Sequence, residues 1–149
     1  VDLRDLLKDV VELYEPLAQE RDIELELHVP QSQVCKGDVD LLFQMFANVL
    51  DNAIKYSDGA PKIDVYTETI GNSIILKIAD QGNGMTKQVA KRVFEKFYRE
   101  HTGNVHNVKG HGLGLAYVKR IVEDHQGYIS VESEKERGST FIIKLPLIS

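Results

Sequence analysis

Two asparagines and a lysine form a polar row in the second predicted helix. Asn48, Asn52 and Lys55 are spaced i, i+4 and i+7, so they share one side of that helix, at the border of its apolar face. Asparagine is unfavourable inside a helix, because its short amide competes with the backbone for hydrogen bonds. Two interpretations remain open on this evidence. The row is either a solvated stripe, or a set of amide oxygens and one ammonium that faces a polar ligand or a hydrated Mg²⁺.

Glycines accompany two further sets of polar groups. Asp80 ends a predicted strand and is followed closely by Gly82 and Gly84, although a plain turn would have a similar composition. Residues 110–115, Gly-His-Gly-Leu-Gly-Leu, form a glycine-rich loop that opens directly into a predicted helix. Such a loop lets backbone N–H groups approach phosphates at the positive end of the helix. It is neither a P-loop nor a dinucleotide fingerprint, because its spacing is G-x-G-x-G and G-x-x-x-x-G-K-[ST] does not occur in the chain.

The elements that must position these groups follow from the spacing of the apolar residues. Helical spacing predicts helices over 3–17, 38–56, 86–97 and 114–125, with Asp38 as the N-cap of the second. Pro16 is expected to bend or end the first helix. Alternation predicts a strand over 23–29, with a further short strand at 34–36. Two hairpins are predicted, one with strands at 63–69 and 73–79 and the other with strands at 129–133 and 140–145. Helices mixed with hairpins predict an α/β two-layer sandwich.

Composition excludes several classes of protein. The 149 residues carry a net charge of −5, which argues against electrostatic binding of nucleic acid. A single cysteine, Cys35, excludes an internal disulfide framework and fits a reducing compartment. The chain contains no apolar run long enough to span a membrane, so direct membrane contact by this domain is not expected. The first residue is Val1 rather than Met, which predicts a fragment of a longer protein.

Five short motifs, in this order, resemble the boxes of the catalytic and ATP-binding domain of sensor histidine kinases, in the GHKL superfamily of ATPases and kinases. They are an N box at 48–56, a first glycine box at 80–84, an F box at 94–97, a second glycine box at 110–115 and a closing Gly-Ser-Thr-Phe at 138–141. The resemblance covers nearly all of residues 1–149. It implies the Bergerat fold, a mixed sheet with helices on one face, and an ATP lid at about 98–109.

The resemblance also implies site residues and cofactors, namely ATP and Mg²⁺. Asp80 would accept the adenine amino proton with Thr140 nearby, and Asn52 would ligate Mg²⁺. Asn48 and Lys55 would contact the phosphates and serve as the catalytic residues. The implied ATP-binding set comprises Asn48, Asn52, Lys55, Tyr56, Asp80, Gly82, Gly84, Arg99, Gly110, His111, Gly112, Leu113, Gly114, Leu115 and Thr140.

Asn48 distinguishes between branches of the superfamily. Relatives that hydrolyse ATP have a glutamate at this place, and an amide cannot act as a general base. The resemblance therefore favours a kinase with slow hydrolysis. The acceptor motif His-[Glu/Asp]-x-x-x-Pro is absent from the chain. The phosphate is thus expected to pass to a histidine on a separate dimerisation domain of the same protein, and from there to a response regulator. The expected location is the cytoplasmic portion of a membrane-anchored sensor kinase.

Other interpretations stay open. The chain could be a degenerate GHKL module that serves as a regulatory binding domain, or a GHKL kinase directed at serine. Phe94 and Phe97, at i and i+3, are expected to act at least partly as core anchors. A metal site at His101, His106 and His111 is disfavoured, because no acidic or cysteine ligand accompanies them at a fixed spacing.

Overall fold

The spacing of the apolar residues produces three helices and five strands in the part of the chain that our computed structural model describes, residues 1–29, 33–56, 62–80, 94, 114–134 and 138–147. In chain order they are α1 (Leu3–Glu20), β1 (Glu24–His28), α2 (Val39–Tyr56), β2 (Lys62–Ile70), β3 (Ser73–Asp80), α3 (Gly114–Asp124), β4 (Tyr128–Glu134) and β5 (Gly138–Pro146). The predicted helix at 86–97 lies outside the described residues except for Phe94, and the predicted lid at 98–109 lies wholly outside them. Among the described residues, no helix combines the length and apolarity that a membrane span requires.

The strands form one mixed sheet in the order β1-β2-β3-β5-β4, in which only the β1–β2 pair is parallel. Along β3 the side chains alternate, so that Ile74, Leu76, Ile78 and Asp80 are buried while those between them are half-buried. The helices pack on the buried face, α1 against β1, α2 against β3 and α3 against β4. This arrangement confirms the predicted α/β two-layer sandwich with helices on one face.

The start of α2 has the predicted cap. The Asp38 carboxylate accepts hydrogen bonds from the backbone N–H groups of Asp40 at 2.9 Å and Leu41 at 3.1 Å. These two donors would otherwise have no partner inside the helix. The helix that carries the polar row therefore begins where the sequence predicted.

Two predicted elements differ from the structure. Helix α1 continues past Pro16 to Glu20, because Ala18 is fully buried and holds the last turn on the core. The predicted strand at 34–36 is a single bridge between Asp2 and Val34, supported by a hydrogen bond from Cys35 N to Val1 O. A segment with one neighbour and so few residues forms a local backbone pairing instead of a strand of the sheet.

A buried histidine ties α2 to α3. His125 Nδ1 donates to the carbonyl of Ile121 at 2.7 Å, and its Nε2 accepts from the backbone N–H of Asp38 at 3.2 Å. These partners require the neutral ring with the proton on Nδ1. Gly37 leaves room for the ring, since a Cβ at that position would lie 2.5 Å from His125 Cδ2. The ends of α2 and α3 are thereby fixed relative to one another.

Candidate functional site

A buried carboxylate stands at the end of the central strand β3. Asp80 is 9% exposed, and it is the one acidic residue that is buried among the described residues. Its Oδ1 accepts a hydrogen bond from the backbone N–H of Ser139 at 3.3 Å. Taking a charged group out of water is costly unless polar partners replace the lost hydration. Asp80 thus puts a charged hydrogen-bond acceptor at the end of β3, on the helix side of the sheet.

The structure brings Ser139 to Asp80, and places Thr140 elsewhere. Thr140 pairs with Ala79, so the alternation of the sheet puts it on the face opposite to Asp80. Ser139 is 6% exposed and lies on the same face as Asp80 and Phe141. Ser139 is not among the site residues predicted from the sequence, although the spacing of Phe141, Ile143 and Leu145 could have placed it on the buried side.

The Ser139 hydroxyl belongs to a short chain of hydroxyl groups. Ser133 Oγ lies 3.1 Å from the Gly138 carbonyl, to which it donates, and 2.8 Å from Ser139 Oγ. Because Ser133 donates to a carbonyl, the proton between the two hydroxyls comes from Ser139. Ser139 Oγ can then accept a hydrogen bond, through its lone pairs, from a ligand or a water molecule beside Asp80.

The polar row on α2 lies at the margin of the core, as predicted. Asn48 and Asn52 are half-buried, while Val49 and Ala53 on the neighbouring side of the helix are buried. The Asn52 side-chain nitrogen donates to the Asn48 carbonyl at 2.8 Å. This bond directs the amide oxygen of Asn52 away from the helix, where it can act as a ligand. Lys55 continues the helix, but its side chain lies outside the described residues, as does that of Tyr56.

The N-terminus of α3 adjoins this row. Gly114 is the first residue of α3, and Leu115 packs partly buried against the core. One turn later, the Tyr117 hydroxyl lies 3.3 Å from Gln44 Oε1, to which it donates. Gln44 precedes Asn48 by four residues and shares its side of α2. The end of the glycine-rich segment, with the positive end of its helix, is therefore beside the asparagines.

Several predicted site residues lie outside the described residues: Gly82, Gly84, Arg99, Gly110, His111, Gly112 and Leu113. In the F box, Phe94 is described and meets Phe141 edge-on, with ring centroids 6.2 Å apart and an interplanar angle of 82°. This contact confirms Phe94 as a core anchor. Phe97 lies outside the described residues.

The described groups make a site with two chemically different ends. Asp80 and Ser139 offer hydrogen-bond acceptors in a buried setting, which suits the amino group of a flat heterocycle. Asn48, Asn52 and the start of α3 offer an amide oxygen, amide donors and a helix N-terminus, which suit a metal ion and phosphates. Because α2 packs against β3, the two ends belong to neighbouring elements of the fold.

Comparison with known proteins identifies the family. Residues 37–149 match the HATPase_c family, described as histidine kinase-, DNA gyrase B-, and HSP90-like ATPase. The chain is 50% identical over 103 residues to the sensor protein RprX of Bacteroides fragilis, and the match covers 68% of this chain and 20% of RprX. The chain thus spans about a fifth of the length of that curated relative.

Solved structures agree. A mycobacterial sensor histidine kinase, MprB, is 33% identical with a TM-score of 0.81, over 99% of this chain and 95% of the MprB chain. Full-length ShkA, solved in complex with AMPPNP, is 30% identical with a TM-score of 0.86, over all of this chain and 31% of the ShkA chain. The chain therefore belongs to the HATPase_c family, as the histidine kinase ATPase domain found in sensor kinases.

Proposed function

We propose that this chain binds Mg·ATP and donates the γ-phosphate to a histidine on a separate helical dimerisation domain, in two-component signal transduction. The observation that carries the proposal is the buried Asp80 carboxylate beside Ser139, on the face of the sheet that α2 covers. Membership of a family whose relatives here are sensor kinases supports the transfer step.

Asp80 and Ser139 account for recognition of adenine. An ionised carboxylate accepts hydrogen bonds only, so it pairs with the exocyclic amino group of adenine. Guanine has a carbonyl at the same ring position, and two acceptors would face one another. The site should therefore prefer ATP to GTP, because the guanine carbonyl would face the carboxylate as a second acceptor and could not donate a hydrogen bond to it.

The phosphate end of the nucleotide would be bound by Asn52, Asn48 and Lys55. The amide oxygen of Asn52 is directed outwards and fits the oxygen-rich coordination that Mg²⁺ prefers. Mg²⁺, when bound, neutralises charge on the phosphates. Asn48 and Lys55 would hold phosphate oxygens by donated hydrogen bonds, as would the amides of the three glycines of the second glycine box, Gly110, Gly112 and Gly114.

The proposed ATP site has further members. Tyr56 would pack near the adenine or ribose, and Arg99 would add a phosphate contact at the start of the lid. The first glycine box would let the backbone approach the nucleotide. Its glycines and the other residues of the second box complete the set: Gly82, Gly84, His111, Leu113 and Leu115.

Asn48 also favours transfer over hydrolysis. An amide cannot take a proton from water, so the domain holds the phosphates without activating a water nucleophile. The dimerisation domain of the same protein is the proposed phosphoacceptor, and a response regulator is the proposed next partner. We place the domain in the cytoplasmic portion of a membrane-anchored sensor kinase.

Phosphate transfer is tested with [γ-³²P]ATP and Mg²⁺, with and without the separately expressed dimerisation domain of the parent kinase. We expect no label on the 149-residue chain alone, because an untethered domain lacks a histidine aligned within ~3–3.5 Å of the γ-phosphorus. We expect acid-labile, base-stable label on the added domain. That label should be weak, since tethering normally supplies the effective concentration.

The same assay distinguishes the alternatives. Acid-stable label on an added protein substrate would instead indicate a serine-directed kinase. Failure to bind a fluorescent ATP analogue would indicate a degenerate binding module. Stoichiometric label on the isolated chain would contradict the proposal.

Ser139 and Thr140 provide a paired test of the adenine end. Ser139→Ala should weaken ATP binding by roughly 2- to 12-fold, the value of one neutral hydrogen bond of about 0.5–1.5 kcal/mol. Thr140→Val should leave the affinity unchanged, because Thr140 lies on the opposite face of the sheet. Calorimetric titration with ATP measures both. A larger loss for Thr140→Val than for Ser139→Ala would return the role to Thr140.

A further inference from the structure

The face of the sheet turned away from the helices carries a cluster that the ATP site does not use. Glu26 and His28 are two residues apart on β1 and share that face, and Asp64 on β2 is the register partner of Glu26. Asp80 projects from the opposite face. The three side chains are partly exposed, at 30% for Glu26, 54% for His28 and 28% for Asp64.

The ligand atoms of this cluster converge. His28 Nε2 lies 3.1 Å from Glu26 Oε2 and 3.2 Å from Asp64 Oδ1, and all three atoms lie within 4.8 Å of one another. A tetrahedral zinc site with bonds of about 2.0–2.2 Å places neighbouring donor atoms about 3.3–3.6 Å apart. The two separations from His28 Nε2 differ from these by a few tenths of an ångström, which side-chain rotation can supply.

A positive group already occupies the same two oxygens. Lys62 Nζ lies 2.8 Å from Glu26 Oε2 and 3.5 Å from Asp64 Oδ1. Its hydrogen bond lowers the pKa of Glu26, so this carboxylate stays ionised. Lys62 is 35% exposed and on a flexible stem, so its ammonium can move into solvent when a stronger cation arrives.

The donor set selects the type of metal. One imidazole nitrogen with two carboxylate oxygens suits a borderline ion such as Zn²⁺, whereas Mg²⁺ and Ca²⁺ favour sites made of oxygen alone. We propose that Glu26, His28 and Asp64 bind one Zn²⁺ ion on the open face of the sheet, in competition with Lys62 and with solvent completing the coordination. This site is independent of the proposed ATP site.

The test is a titration of the nucleotide-free chain with ZnCl₂, followed by calorimetry in a buffer that does not chelate zinc. We expect a saturable event of one equivalent that is lost in His28→Gln. Lys62→Leu should bind more tightly, because the competing ammonium is gone and leucine offers no ligand. Co²⁺ in place of Zn²⁺ should give the intense visible absorption of a tetrahedral site, again lost in His28→Gln.

Two matched controls locate the event. His101→Gln should retain the event, which excludes His101 as the zinc ligand. Asp80→Asn should also retain it, since Asp80 lies on the other face, so failure of the ATP proposal and failure of this one are distinguishable. Circular dichroism establishes that each variant is folded. Zinc binding that survives His28→Gln, or that weakens in Lys62→Leu, would overturn the proposal and leave an ion-pair cluster only.

Discussion

Replacing Asp80 with Asn is expected to weaken ATP binding roughly 10- to 150-fold. The substitution keeps the size of the side chain but removes its charge, and hydrogen bonds to charged groups contribute about 1.5–3 kcal/mol. The Ser139 N–H at 3.3 Å can still donate to the amide oxygen, so the end of β3 should stay in place. Calorimetric titration with Mg·ATP measures the loss, and thermal unfolding checks the fold.

Two controls separate the role of Asp80 from a general loss of charge. Asp64→Asn makes the same chemical change on the other face of the sheet and should leave ATP affinity unchanged. An ATP analogue without the exocyclic amino group should bind the unchanged chain weakly. Its affinity should fall only slightly further in Asp80→Asn. If Asp80→Asn lowers the affinity for the analogue and the affinity for ATP by the same factor, the carboxylate does not contact the amino group.

The sequence predicts the architecture well where periodicity is strong. In β3 the apolar run predicts the strand and its end at Asp80, while the alternating burial of Ile74 and Ile78 becomes visible only in the structure. In α2 the cap at Asp38 and the apolar face agree with the structure in the same way. Both cases depend on local spacing, which a single sequence displays directly.

Contacts between distant segments explain the differences. Helix α1 continues past Pro16 because Ala18 packs on the core. The sequence near Pro16 contains nothing that predicts this continuation. The sequence predicts Thr140 near Asp80, whereas Ser139 lies beside it in the structure. The difference arises from the pairing of β5 with β3, because a shift of one residue reverses the face on which a side chain lies. The closing motif at 138–141 contains both residues, and only the register of β5 against β3 shows which of them lies beside Asp80.

The polar row on α2 illustrates what spacing alone leaves open. A solvated stripe and a ligand-facing row have the same i, i+4 pattern, and only burial separates them. Asn48 and Asn52 are half-buried at the margin of the core, beside the start of α3. This position favours the second interpretation, because a stripe that only contacts solvent would lie away from the neighbouring helix.

Asn52→Ala is expected to abolish the strengthening of ATP binding by Mg²⁺ while most of the binding through adenine remains. The change removes the outward amide oxygen, the proposed ligand, and alanine is a better helix former than asparagine, so α2 should remain intact. ATP affinity is measured by calorimetry in Mg²⁺ and again in EDTA, and the ratio of the two affinities is the readout. Asn52→Asp restores a ligand oxygen and should restore the ratio. A ratio in Asn52→Ala equal to that of the unchanged chain would show that Mg²⁺ is held by other groups, because losing a true ligand oxygen cannot leave the metal dependence intact.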